Sequence, residues 1–497
     1  MGTTWCFFWG RTSCRNQPVT LTGYKIGGAV SVQASAPSAS QFMNFPYSTP
    51  LRKFFLLPQV TLGLAMLVPS PWALAQTPEV EDTTARYQAT YNWQRHPSYQ
   101  SAYSGANSLP SVREKMYTFS ATAFFGFRPW EGGELYFNPE VVQGVPFSGN
   151  LVGLGGFSNG EITRAAGTNP VFYRQRLFLR QTWNHGGDIE QVEPDLNQMA
   201  GVVRKNRFVL TVGNFSTLDV FDPNEYAKDP RTQFMNWGNW TYSAYDYAAD
   251  ARGFGWGFAA EWYRDDWVLR FGRMSGPAEP NGLPVDLALA RHYGDQVEVE
   301  RSYTIGGLPG KVRLLGFRNR AQLASFKDAL SWLSANPGQY TTPVALVQAR
   351  NTDKIKYGLG INIEQAISRD AGFYLRAMKA DGKTETHAFT EADGSLSTGV
   401  AIKGSAWGRA KDTVGFSLMR NILSSDRRRF LEAGGISFFI GDGALRYRPE
   451  TIFEGYYSVP LSRASWLTAD YQRVQNPAYN ADRGPVNIFA IRLHAEF

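Results

Sequence analysis

The chain has 497 residues, 50 Lys/Arg against 43 Asp/Glu for a formal charge of +7, and a negative mean hydropathy. Residues 1–75 hold five of those basic side chains and no acidic one, so the remainder carries only +2 and gives no argument for a nucleic-acid partner. Both cysteines, Cys6 and Cys14, also lie there, which excludes a disulfide framework or thiolate metal site from 76–497, and no later run approaches the ~18 apolar residues of a membrane helix.

The N-terminal part divides by composition. Residues 1–42 have no acidic residue and precede Met43; they are expected to be an extension from a mispredicted translation start. Arg52 and Lys53 form a basic stretch, 54–68 is an apolar stretch interrupted by Pro58, and Ala73-Leu74-Ala75 is a small-x-small cleavage site. Residues 43–75 therefore read as a secretory signal peptide, with processing after Ala75. Residues 76–497 are expected to form one domain.

In that domain, segments of period two follow one another. Tyr117, Phe119, Ala121, Ala123, Phe125 and Phe127 alternate with Thr118, Ser120, Thr122, Phe124, Gly126 and Arg128. After a Glu131-Gly132-Gly133 turn, Leu135, Phe137 and Val141 alternate with Glu134, Tyr136, Asn138 and Glu140, which predicts a hairpin. Leu177 and Leu179 oppose Arg174, Arg176 and Arg180, and similar strands are read near 207–212, 256–271, 356–364, 373–377, 414–418 and 453–457. The last are Trp466–Val474 and Val486–Phe497, where Phe489, Ile491, Leu493, Ala495 and Phe497 share one face. Longer connections are expected near 142–170, 216–250, 275–294, 321–350 and 380–396, with a short helix within 321–333.

Side chains on a strand alternate between faces, so each segment can present one side to lipid and the other to water. In a bilayer every backbone polar group needs a partner within the protein, and strands can span only as a closed sheet. About sixteen such segments, at roughly 26 residues each with its connection, predict an all-β fold: a transmembrane antiparallel β-barrel of outer-membrane porin type. A barrel of that size encloses an aqueous lumen that wall side chains alone cannot fill.

Glu134, Tyr136, Asn138 and Glu140 would then offer acceptors and an aromatic to the lumen, and Arg174, Arg176 and Arg180 a ladder of donors. Carboxylates accept hydroxyl protons, guanidinium groups donate in fixed geometry and aromatic faces cover C–H surface, a combination suited to polyhydroxylated neutral solutes. The competing reading is that these charges pair with one another and only hold the pore open. The Asp219–Asp250 segment, dense in Asp, Asn and Trp, is a candidate constriction loop, or else an ordered surface loop whose Asp-Pro and Asn residues only set turns.

Several blocks resemble the carbohydrate-selective porins of the OprB type: ELYFNPEVVQG (134–144), RLFLRQTW (176–183), VFDPNEYAKDPRTQFMNW (220–237), YDYAADARGFGWG (245–257) and KGSAWGRAKDTVGFSL (403–418). GGISFFIGDGALRYRPETIFEGYYSVPL (434–461) and QNPAYNADRGPVNIFAIRLHAEF (475–497) complete the set. The final strand, ending on an aromatic, also resembles the closing strand of bacterial outer-membrane barrels. The resemblance implies a sixteen-stranded barrel in the bacterial outer membrane through which sugars diffuse inward past a narrow eyelet of arginines and glutamates. Carried over residue by residue, it assigns Glu134, Glu140, Arg176, Arg180, Asp222, Asn224 and Asp229 to the pore. Expected partners are mono- and oligosaccharides, outer-membrane lipid and the barrel-assembly machinery, with association into homotrimers left open.

Other functions have weaker support. His96, His185, His292, His387 and His494 show no metal-ligand spacing and no G-x-S-x-G elbow occurs, so neither an enzyme nor a metal or other cofactor is expected. A secreted sugar-binding protein would have no need of an apolar belt. A general porin or a polysaccharide-exporting barrel is the alternative within the same fold.

Overall fold

The computed structural model describes residues 80–149, 151–161, 167–338 and 342–497; the expected signal peptide and the segment before Met43 lie outside the described residues. Sixteen antiparallel strands close into one barrel among the described residues. The wall begins with β1 (Thr83–His96), β2 (Glu114–Trp130), β3 (Gly133–Val145) and β4 (Gly167–Val192). It continues with β5 (Gly201–Phe215), β6 (Gly255–Arg264), β7 (Trp267–Met274), β8 (Tyr293–Ile305) and β9 (Leu308–Gln322). Then come β10 (Asp353–Ala366), β11 (Ala371–Ala380), β12 (Gly394–Gly404) and β13 (Arg409–Ile422), and finally β14 (Glu450–Pro460), β15 (Ser465–Gln475) and β16 (Val486–Glu496). Each strand pairs with its chain neighbours, and β16 returns to β1 with Ile491 opposite Trp93. The seam closes at the C-terminus, where Phe497 and Tyr87 exchange both main-chain hydrogen bonds (2.9 and 2.8 Å).

The alternation is resolved as expected in most of the wall. Phe125, Phe127, Leu135, Phe137, Phe489, Ile491 and Leu493 are exposed on the outer surface, whereas Thr118, Ser120, Thr122, Tyr136 and Asn138 are buried inside. The register shifts at a few places, and β4 has one that changes which side chains face inward. Asn138 lies opposite Arg176 but Pro139 lies opposite Arg174, so Gln175 is an extra residue in β4. Pro139 has no N–H for the ladder, and a bulge is the usual accommodation. The bulge shifts the phase of β4 by one. Arg176 and Arg180 point inward, but Arg174 stands on the outer face with its guanidinium over Trp256 (5.0 Å), which corrects the expectation that all three share one ladder.

Short turns join the strands at one rim and long segments at the other. The long connections at 146–166, 216–254, 275–292, 323–352 and 381–393 correspond to the expected ones, while those at 97–113, 423–449 and 476–485 were not among the longer connections expected. The expected helix is Phe326–Ala335, begun by Ser325, whose hydroxyl accepts from Asp328 N (3.0 Å). It packs Phe326 on Phe430 of a second helix, Ser425–Glu432 (5.6 Å).

Much of the interior is solid. Trp237, Tyr242, Tyr245 and Tyr247 of the 216–254 loop form a buried cluster with Phe389, Phe439 and Ile440 from two other loops. Carboxylates on the inner wall hold the inward-folded loops by their backbone. Glu450 accepts from the N–H groups of Gly155 (2.9 Å), Gly156 (2.7 Å) and Ala478 (2.8 Å), and Glu298 accepts from Asp222 N (2.9 Å). A loop inside a barrel loses its water, and each buried N–H left unpaired would cost about 1–3 kcal/mol. The acidic inner wall removes that cost.

Candidate functional site

Space for a solute remains where the 216–254 loop faces β2–β5. A cavity of about 370 Å³ there is bordered by Arg176 and Arg180 from β4, by Asp219, Lys228, Asp229 and Arg231 from the loop, and by the rings of Phe178, Trp240 and Phe254. A second cavity, of about 480 Å³, lies toward the short-turn rim among Arg128, Glu134, Arg207, Glu261, Tyr263 and Arg270. Arg180, Gln198 and Asp219 border both, forming a neck between them.

Each side of the neck has a structural cause. Arg176 grips Asp219 through two hydrogen bonds (both 2.7 Å), and its guanidinium also lies over Phe254 (5.0 Å). Asp219 is the third residue of a capping box, with Ser216 N donating to its carboxylate (2.9 Å), so the ion pair seats the start of the loop against β4. Burial would raise the Asp219 pKa, but Arg176 and this N–H together hold it below the ordinary value. Arg180 donates to Asn197 O (3.1 Å) and approaches Glu134 (3.6 Å), which also receives Arg128 (3.0 Å). Asn197 and Gln198 belong to the β4–β5 turn, which folds back toward the neck.

On the loop, Lys228 donates to the carbonyls of Phe221 (3.1 Å) and Asp222 (2.9 Å). Burial holds its amine down, at about 8. Arg231 lies among Glu161 (3.5 Å), Glu140 (3.9 Å) and Asp229 (3.9 Å). Burial raises the pKa of Glu161, with Arg231 opposing it. Across the two cavities eight cationic side chains, Arg252 among them, stand with six carboxylates, so donors and acceptors lie side by side beneath aromatic faces with a modest cationic excess. Such a surface can exchange hydrogen bonds with hydroxyls while a non-polar face slides along the rings; it has no dominant sign that would select an ion.

Of the residues selected from the sequence, Arg176, Arg180 and Asp229 border the first cavity, and Glu134 and Arg180 the second. The others serve the wall or the loop anchors. Tyr136 is fully buried, stacked on Phe178 (5.0 Å) and donating to Glu134 (3.0 Å). Asn138 is buried in the same wall. Glu140 accepts from Thr122 (2.6 Å), Gln175 (2.8 Å) and Tyr173. Asp222 is buried against Arg376 (2.9 Å), and Asn224 donates to Asn362 (2.7 Å). Neither borders either cavity; both pin the loop to the far wall, and Arg174 is outside the barrel altogether. Asp219, Lys228, Arg231 and Glu161 were missed. The first three lie within or beside blocks singled out for their Asp and Asn, where the interleaved cations were the overlooked signal.

The model of the family described as "Carbohydrate-selective porin, OprB family" matches residues 126–497. The structure of Pseudomonas putida OprB at high pH superposes with a TM-score of 0.59 at 15% identity, covering 84% of this chain and 94% of that one. The outer-membrane channel DcaP of Acinetobacter baumannii is more distant, with a TM-score of 0.44 at 8% identity over 85% of this chain and all of that one. No curated protein sequence matches significantly. A sixteen-stranded barrel whose family match spans nearly the whole described wall settles its kinship: the chain belongs to the carbohydrate-selective porin family of the OprB type, a bacterial outer-membrane protein.

Proposed function

We propose that this porin admits small neutral carbohydrates by passive diffusion along the two cavities that meet at Arg180, Gln198 and Asp219. In outer-membrane barrels the short turns are periplasmic, so travel from the first cavity to the second is travel inward. The observation that carries the reading is the lining itself. Arginines and a lysine from two facing elements alternate with carboxylates and aromatic rings around a passage of ligand-site size, within ~300–1,000 Å³. No energy source or cofactor enters this mechanism. A solute exchanges water hydrogen bonds for wall hydrogen bonds of similar strength, which lowers the entry barrier without trapping it.

The test is liposome swelling with the processed protein, comparing glucose with amino acids of similar size. Faster swelling with glucose is expected. Equal rates would reduce the protein to an unselective porin within the same family.

A further inference from the structure

The outer surface over β13–β16 and β1 carries a feature that permeation does not use. Two cross-strand rows define it. Phe416, Gly455, Tyr471, Phe489, Arg95 and Lys115 are successive partners in one row, and Val414, Tyr457, Ala469, Ile491 and Trp93 in the next. Gly455 and Ala469 are the small members. Around them the rings of Phe416, Tyr471 and Phe489 stand up, with Tyr471 and Phe489 5.3 Å apart. The result is an apolar trough of about 620 Å³ open to the membrane.

Its long-loop end is cationic. Arg95 lies over Phe489 (5.8 Å), and Arg473, which donates to Asn487 (3.1 Å), and Arg420 stand on neighbouring strands. All of these, with Lys115, are exposed, and none has an ion pair among the described residues. In outer-membrane barrels the long loops are extracellular, which puts these four charges at the headgroup level of the outer leaflet.

We propose that this trough is a binding site for a phosphorylated, multiply acylated lipid of the outer leaflet, with acyl chain against Gly455 and Ala469 and phosphate between Arg95 and Arg473. Guanidinium groups suit phosphate by charge and by paired N–H geometry, and basic residues at a membrane surface attract anionic headgroups. A second copy of the chain is a poorer occupant. On outward strand positions toward the long-loop end, the described carboxylates are Asp295 and Asp353, and both are already held by arginines, Arg273 (2.7 Å) and Arg320 (3.2 Å). A like barrel therefore has no free anion to present at this level; a lipid phosphate does.

The test uses the processed protein in neutral detergent and native mass spectrometry, with hexa-acylated, doubly phosphorylated lipid A and its dephosphorylated form as probes. One-to-one adducts of the phosphorylated lipid should exceed those of the dephosphorylated lipid by at least tenfold. Arg95→Gln with Arg473→Gln should remove that preference, and Ala469→Leu should weaken both adducts by filling the trough; heat-modifiable gel migration verifies that each variant remains folded. Equal retention of the two lipids, or full retention by the double variant, would overturn the proposal. So would dimers of the chain, lost in Ala469→Leu, in place of lipid adducts.

Discussion

Arg176 and Asp219 form the contact on which the neck depends. Each is partly screened by solvent, with side-chain exposures of 15% and 27%, but both sit in a confined space where an abandoned carboxylate would lose its best partner. Arg176→Ala should weaken the seating of the loop by about 1–3 kcal/mol and reduce sugar block of single-channel current. Adding Asp219→Ala should quiet the current without restoring the block. An unchanged block in the single variant would remove Arg176 from the sugar path. Lys228 makes a separate prediction about pH. Its usual value of 10.5 is brought down to about 8 by burial, with Asp222 opposing the shift and Arg376 adding to it. Because the folded pKa is depressed for a cation, the cost of burying the charge is present in full below about 8 and is relieved as pH rises from there toward 10.5. The passage therefore loses a positive charge between pH 7 and 9, and the anion-over-cation permeability ratio should fall with a midpoint near 8. In Lys228→Met that step should be absent; if it persists, another group is titrating.

At the scale of elements, the 216–254 loop behaves as a strut fastened across the barrel. Arg376 of β11 is one of its main anchors: it pairs with Asp222 (2.9 Å) and donates to the carbonyls of Ala227 (2.6 Å) and Asn239 (2.7 Å). Glu364 of β10 accepts from Glu225 N (2.8 Å), and Arg492 of β16 donates to Pro230 O and Gln233 O (both 2.8 Å). The far wall thus sets the width of a passage it does not border. Removing one partner of a buried ion pair costs about 3–5 kcal/mol, so Arg376→Met should free the strut. The expected result is a larger conductance and loss of discrimination between glucose and similar-sized solutes, with the barrel still showing heat-modifiable migration. Unchanged conductance would show that the remaining anchors suffice.

For the whole molecule, the apolar belt outside and the aromatic cluster inside are two separate hydrophobic surfaces. The first follows from solvation by lipid and the second from loops packing on one another within the wall. Closure joins the first and last strands, and Phe497 takes part: it shares two main-chain hydrogen bonds with Tyr87 of β1. Deleting Phe497 should lower barrel stability by about 1–3 kcal/mol, at ~0.5–1.5 kcal/mol per hydrogen bond. Thermal unfolding in detergent, followed as the loss of the compact gel band, checks this. An unaltered transition would place the seam's strength in the Gln88–Arg95 register alone.

The strand count, the lipid-facing residues and the family were legible in the sequence, because alternation is local: each side chain's face follows from its parity along a strand. That same rule failed at Arg174, where Pro139 on the neighbouring strand forces a bulge that no reading of β4 by itself can reveal. Loops were less legible. The connection at 423–449 was not anticipated at its length; its Phe430, Leu431, Phe439 and Ile440 are buried inside the barrel by packing on other loops, which leaves no periodic mark in the sequence. The tertiary structure alone decided which charges border the two cavities. Asp222 and Asn224 turn to the far wall while Lys228 and Arg231, a few residues on, border the passage, because a folded loop's orientation depends on partners more than a hundred residues away.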